Sequence, residues 1–93
     1  MIAPSKSILK VSVRQIKAAR ALLAWSQEDL GENAGVSIPT IKRLEARDGA
    51  LAGHMATQMK IRSALEAAGI KFIDENGGGL GVRLRDSAKP TQE

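Results

Sequence analysis

The chain has 93 residues, of which 43% are hydrophobic and 26% are charged, and this composition predicts one small globular domain. It contains no Cys and a single His, which argues against disulfides, thiol nucleophiles and zinc–thiolate sites. The formal net charge of +4 favours a polyanionic partner, although many basic domains of this size bind none.

Two observations bear on where in the cell the protein is located. No apolar run approaches the roughly 18 residues that span a bilayer, and the N-terminal residues lack the apolar segment of a secretory signal. We therefore expect a cytoplasmic protein with no membrane partner. The first 25 residues carry five basic and no acidic residues, which predicts either a positive surface or a solvated helix face. These basic residues are Lys6, Lys10, Arg14, Lys17 and Arg20.

Residues 1–11 are predicted to form a tail or a short edge strand. The first helix starts after Ser12, because Ser12 and Gln15 have the spacing of a capping box, and it runs from Val13 to about Ala24. The apolar residues that recur at helical spacing and predict its buried stripe are Ile16, Ala19, Leu22 and Leu23.

Two short helices are expected next. Ser26 caps a helix over residues 27–34, which ends at Gly35 because glycine adopts the left-handed conformation without strain. Ser37 caps a third helix over residues 38–46, where a first-turn proline is tolerated. The residues expected to face inward from these two helices are Leu30, Ala34, Ile41 and Leu44.

The pattern changes along the last part of the chain. A fourth helix is predicted to start between His54 and Gln58 and to continue to Ala68, and His54 is expected to be a loop or cap residue without a functional role. Alternating residues then predict a β-hairpin over residues 70–85, followed by a disordered tail over 86–93. A lone hairpin is marginal in water. It must therefore lean on another element: it could pack on the helices, where residues 8–11 could add a third strand, or it could join a second subunit.

The segment QEDLGENAGVSIPTIKRLE, residues 27–45, places two short helices around a turn that contains Gly35. Small residues at Gly31 and Ala34 allow the helices to approach closely. The outward face of the second helix is then available to enter a DNA major groove about 12 Å wide.

The segment resembles the helix-turn-helix of the phage repressor and Cro type, the xenobiotic response element (XRE) family of bacterial regulators. The matching residues are Ser26, Gln27, Gly35, Val36, Ser37, Ile41, Leu44 and Glu45. The resemblance implies a mainly α fold in which residues 12–69 form a four-helix, lambda-repressor-like DNA-binding domain. It also implies a transcription regulator of the bacterial cytoplasm and nucleoid, with double-stranded DNA as its partner.

The resemblance implies roles by position. Gln27 would clamp a phosphate with the help of the helix N-terminus. The residues turned toward the bases would be Ser37, Ile38, Pro39, Thr40 and Arg43, and those on phosphates would be Lys42 and Arg47. Arg43 would recognise a guanine with two hydrogen bonds, whereas Ile38 and Pro39 can only meet thymine methyl groups. Each role has a structural alternative. Lys42 and Arg43 could be solvent-exposed charges, Ile38 could pack against a neighbour, and Gln27 could simply start its helix.

The family also pairs an Arg on the first helix with a Glu at the end of the third, and the corresponding residues here are Arg20 and Glu45. We expect a largely buried ion pair between them. The alternative is that both side chains point to water.

The most economical function is a sequence-specific, dimeric repressor that inserts the helix 38–46 into the major groove and needs no cofactor or metal. An antitoxin-like protein, which would neutralise a toxin-like partner and regulate its own operon, is the alternative. An enzyme is not expected, because no catalytic set of Ser, His and Asp or metal-ligating cluster is apparent in the sequence.

Overall fold

The computed structural model describes residues 11–75 and 77–86. Its elements are α1 (Val13–Leu23), α2 (Gln27–Ala34), α3 (Ile38–Glu45), α4 (Met55–Ala67), β1 (Ile70–Ile73) and β2 (Gly81–Leu84). The two strands are antiparallel, with Ile70 opposite Leu84 and Ile73 opposite Gly81. The predicted fold, four helices followed by a C-terminal hairpin, is confirmed.

Parts of the predicted tails fall outside these ranges, namely residues 1–10 and 87–93. Over residues 11–75 and 77–86, no helix combines the length and the apolar character that crossing a bilayer needs.

The starts of the first three helices follow the predicted caps. Ser12 and Ser26 each accept a hydrogen bond from the third residue of their helix, and the side chains of Gln15 and Asp29 accept one in return. Both capping boxes are therefore complete, which satisfies amide groups that have no partner within the helix. Ser37 caps α3 by accepting a hydrogen bond from the amide of Thr40.

Two glycines shape the turn between α2 and α3. Gly35 ends α2 with a φ of 70°, the left-handed conformation that glycine adopts without strain. At Gly31, a β-carbon would lie 2.7 Å from the carbonyl oxygen of Val36, which is a backbone atom and cannot move aside cheaply. The close approach of the turn to α2 therefore depends on the absence of a side chain at Gly31.

One aliphatic core joins the helices and the hairpin. Its buried members include Val13, Ile16, Ala19, Leu30, Ile41, Leu44, Ile61, Leu65, Ile70 and Phe72. The prediction that Leu22 belongs to this core was wrong, because its side chain is 46% exposed. The buried stripe of α1 continues from Ile16 through Ala19 to the half-buried Leu23, and Leu22 is rotated by about 100° from Leu23 around the helix.

The hairpin is attached to the helices of its own chain through a buried polar side chain. The Nε2 of Gln15 on α1 donates hydrogen bonds to the carbonyl oxygens of Gly81 and Ile73, at 2.9 Å and 3.3 Å. Gln15 itself is only 4% exposed. On the other side, the Nη1 of Arg85 donates to the carbonyl oxygen of Glu66 at 2.7 Å. The hairpin thus packs on its own subunit, one of the two alternatives that the sequence left open.

Of residues 8–11, which the sequence allowed as a third strand of the hairpin, Val11 pairs elsewhere. The carbonyl oxygen of Val11 accepts a hydrogen bond from the amide of Leu51, and Ser12 forms an isolated antiparallel bridge with Ala50. This pairing places Val11 beside the loop that precedes α4. Residues 8–10 lie outside the described part of the chain.

Replacing Gln15 by Met keeps the length of the side chain but should detach the hairpin and open the capping box of α1. The carbonyl groups of Ile73 and Gly81 lose their shared donor, and the amide of Ser12 loses its acceptor. We expect the free energy of unfolding to fall by about 1–3 kcal/mol, the cost of leaving a buried polar group unpaired. The measurement is chemical denaturation followed by circular dichroism.

Gln58→Met is the matched control for this substitution. The Nε2 of Gln58 also donates to a backbone carbonyl oxygen, that of Gly53, but this hydrogen bond is exposed and water can replace it. Equal loss of stability in the two variants would contradict the proposed attachment.

Candidate nucleic-acid interface

The outward face of α3 carries most of the side chains that the sequence assigned to DNA. Pro39, Lys42 and Arg43 are exposed, and Ile38 and Thr40 are half-buried. Arg47 is also exposed, one residue beyond the C-cap of α3. The opposite face of the same helix is buried through Ile41 and Leu44. The helix is therefore held by one face while the other meets solvent.

The polar side chains on this outward face contact one another. The hydroxyl of Ser37 donates to the hydroxyl oxygen of Thr40 at 2.9 Å. A guanidinium nitrogen of Arg43 lies 3.5 Å from the same oxygen, which is at the outer limit for a hydrogen bond. Because this contact is weak, the guanidinium can turn toward a ligand at little cost.

Ile38 has two environments. Its side chain lies against α2, since a β-carbon built on Gly31 would be 3.5 Å from the Cγ1 of Ile38. The rest of the side chain is accessible, and the residue is half-buried. The packing that the sequence left as an alternative is thus present on one side, and an apolar surface remains on the other.

A single carboxylate anchors the C-terminal end of α3. Arg20 on α1 donates from Nε and Nη2 to the two oxygens of Glu45, at 2.8 Å and 2.6 Å. The side chains of Arg20 and Glu45 are only 19% and 3% exposed. Arg20 also donates to the carbonyl oxygen of Trp25, in the connection between α1 and α2. Paired, charge-assisted hydrogen bonds of this kind are strong and geometrically specific.

Gln27, the predicted phosphate clamp, joins the same carboxylate. Its Nε2 donates to Oε1 of Glu45 at 3.0 Å, so Glu45 accepts hydrogen bonds from both Arg20 and Gln27. This bond uses one N–H of the Gln27 carboxamide, and Gln27 is the first residue of α2. No sequence signal predicts this contact, because the two residues are 18 positions apart and follow no common period.

A basic concavity of about 190 Å³ lies beside the outward face of α3. Its polar lining residues are Thr40, Arg43, Arg47, His54 and Thr57. His54 occupies the N-cap position of α4, and its side chain makes no capping hydrogen bond. Sequence reasoning gave no role to His54 or Thr57, because only the tertiary fold brings the start of α4 next to the arginines of α3.

The basic residues of α1 are less available for contact with a nucleic acid than those of α3. Arg14 donates from Nε and Nη2 to both oxygens of Asp48, each at 3.1 Å. These hydrogen bonds, with the attraction between the two charges, hold the pKa of the Asp48 carboxyl below its usual range. Arg14 is thus neutralised by Asp48, while Lys17 is exposed. Lys6 and Lys10 lie outside the described residues.

Comparison with known families agrees with this arrangement. Residues 16–59, from α1 into α4, match the helix-turn-helix family model. No curated protein matches the chain. The fold and the match together define a DNA-binding transcription regulator. Over these residues, the resemblance to the XRE, lambda-repressor-like helix-turn-helix drawn from the sequence is confirmed.

Glu45→Gln should unfold the protein more easily, because it leaves the Arg20 guanidinium without its charge partner in a largely buried position. We expect a loss of about 3 kcal/mol in the free energy of unfolding, the order found when one partner of a buried pair is removed. Thermal melting followed by circular dichroism measures it.

Asp48→Asn provides the matched control. This carboxylate also binds an arginine through two hydrogen bonds, but it is 66% exposed and water can replace the contact. We expect little change in the melting temperature, because an exposed ion pair contributes little to stability. A Glu45→Gln protein that melts like the Asp48→Asn protein would refute the structural role of the buried pair.

Proposed function

We propose that this protein is a sequence-specific, dimeric repressor that inserts α3 into the major groove of its operator. The observation that supports this most directly is the division of α3 into two faces. One face is buried by Ile41 and Leu44 and its end is fixed by Glu45, while the other presents exposed side chains with weak contacts. A rigid helix with such a face is suited to base recognition in the groove.

Arg43 is the residue proposed to recognise a base. A guanidinium forms two hydrogen bonds with the O6 and N7 of guanine, a contact worth about 1–3 kcal/mol of discrimination. Ile38 and Pro39 would meet thymine methyl groups, and the accessible part of Ile38 allows this. Ser37 and Thr40 already share a hydrogen bond, so their remaining capacity would supply secondary contacts.

Phosphate contacts are proposed on both sides of the base-reading residues. Gln27 would act there through its remaining carboxamide groups together with the N-terminal amides of α2. Lys42 and Arg47 would contribute charge without sequence information. His54 and Thr57 border the same concavity as Arg47, so they extend the proposed phosphate surface to the start of α4.

Repression would follow from occupancy, because a bound dimer covers the operator and excludes the polymerase. Two copies would engage half-sites about one helical turn, roughly 34 Å, apart. The proposal places the protein in the bacterial cytoplasm, on the nucleoid.

The deciding experiment is selection of binding sites from a random double-stranded DNA pool at near-physiological salt. An inverted repeat with half-sites about one helical turn apart would support a dimeric, sequence-specific regulator. A pool without any common sequence, with binding that disappears as salt rises, would mean phosphate contact alone. The antitoxin-like alternative would then lead, and a toxin-like protein partner should be sought.

Arg43→Ala should remove base preference at one position of each half-site and leave the melting temperature unchanged, since the side chain is exposed and weakly bonded. The selection experiment, repeated with the variant, measures this. Arg83→Ala on the exposed side of the hairpin is the control and should select the wild-type sequence. An unchanged preference for Arg43→Ala would exclude its proposed role.

Arg47→Ala should weaken binding to all DNA sequences equally, because a phosphate contact carries no base information. The slope of log K against log salt should decrease by about one ion. Fluorescence anisotropy over a salt series tests this, with Lys71→Ala on β1 as the control for charge alone. A change of selected sequence in Arg47→Ala would show that this residue contacts bases instead.

A further inference from the structure

The chain contains one histidine, and the fold places it beside the arginines proposed to contact DNA. His54 occupies the N-cap position of α4 and lines the basic concavity together with Arg43 and Arg47. Its side chain is exposed and makes no capping hydrogen bond. The imidazole ring is therefore accessible to a ligand that enters the concavity.

The charged residues that line the concavity with His54 are positive. Arg43 lies on α3 and Arg47 follows that helix, whereas the lining residues of the loop before α4 are uncharged. The remaining lining residues are Thr40, Leu44, Ala52, Gly53 and Thr57, so none of the residues around this concavity is acidic. On α4 itself, the first charged residue is Lys60, which is exposed. The concavity therefore attracts an anion and offers it no opposing carboxylate.

The two acidic residues at the end of α3 and just beyond it are held by other arginines. Glu45 accepts hydrogen bonds from Arg20, and Asp48 accepts them from Arg14. The Arg14 guanidinium holds the pKa of the Asp48 carboxyl below its usual range. Asp48 therefore adds no change of charge in the range where a histidine titrates, between about pH 5 and pH 8.

Phosphate binding and protonation of an imidazole favour each other at such a site. Arginine keeps its charge throughout this range, whereas an imidazole is positive only when it is protonated. A phosphate beside the ring stabilises the protonated form, because it attracts the charge and accepts a hydrogen bond from an N–H. By reciprocity, protonation of the ring strengthens the binding of the phosphate by the same factor.

We propose that His54 contacts a backbone phosphate of DNA in its protonated form, so that binding takes up a proton and DNA affinity rises as the pH falls. The inference rests on the proposed contact of α3 with DNA, and it adds a response to pH that a site made of arginines alone lacks. Because a phosphate carries no base information, the effect is expected on any duplex, whatever its sequence.

The first test measures DNA affinity by fluorescence anisotropy on a fixed duplex at about pH 6, 7 and 8 and at constant ionic strength. The wild-type affinity should rise about five- to tenfold from the highest to the lowest pH, since one charge contact at a titrating group is worth about a factor of ten. His54→Gln keeps a polar side chain and every other titratable group, so its affinity should be nearly constant. A wild-type affinity that is independent of pH, or a His54→Gln variant with the wild-type dependence, would overturn the proposal.

Two further variants separate the position of the charge from its amount. His54→Lys carries a permanent charge, so its affinity should be nearly constant and close to the wild-type value at about pH 6. In the His54→Gln background, Lys71→His moves the histidine to an exposed position on β1 and should not restore the pH dependence. Restoration by this distant histidine would contradict a contact in the concavity. Circular dichroism confirms that each variant is folded at each pH.

Isothermal titration calorimetry counts the protons directly. The binding enthalpy at neutral pH, measured in buffers with different enthalpies of ionisation, gives the net proton uptake on binding. The wild type should take up a fraction of a proton for each bound copy, and His54→Gln should take up none. Equal uptake by the two proteins would assign the proton to another group and refute the role of His54.

These outcomes are distinguishable from those of the proposed function. If the selection recovers no common sequence, but affinity for a random duplex still depends on pH through His54, the sequence-specific function fails and the proton-linked contact stands. If the selection recovers an inverted repeat that is bound equally well across the pH range, the function stands and this inference fails.

Discussion

The carboxylate of Glu45 is the point on which the geometry of the helix-turn-helix depends. It ends α3, is almost fully buried, and accepts hydrogen bonds from Arg20 on α1 and Gln27 at the start of α2. A buried charge must remain paired, because leaving it alone in a medium of low polarity is costly. The angle between α3 and the two preceding helices is therefore limited to orientations that keep both partners in place.

A second buried polar side chain does the same for the hairpin. Gln15 belongs to the capping box of α1 and also donates to both strands, so one residue starts the helix and fixes the sheet to it. Gln15 and Glu45 are the buried polar residues of the described chain, and each links elements that are distant in sequence. The aliphatic core supplies most of the stability, whereas these two residues specify how its elements are oriented.

The fold leaves two surfaces of different chemistry exposed. On α3, Arg43 is bonded only weakly and Lys42 and Arg47 are exposed, which gives a positive surface suited to a polyanion. At the ends of α1, α4 and β2, the exposed Leu22 and Leu84 lie beside Arg85 and Asp86, so this surface is part apolar and part polar. The proposed contact of α3 with DNA follows from where the fold leaves basic side chains exposed and weakly bonded.

The sequence by itself determined the local features. Serine caps, the glycine at the end of α2 and the 3.6-residue period defined the first three helices, since these signals act over a few residues. It also indicated the family through residues 26–45 and the pairing of Arg20 with Glu45. Only the tertiary structure decided that Leu22 faces solvent, that Val11 pairs with Leu51 and that Gln27 and Arg20 share one carboxylate. Contacts between distant segments depend on how whole elements pack, and no local period encodes that packing.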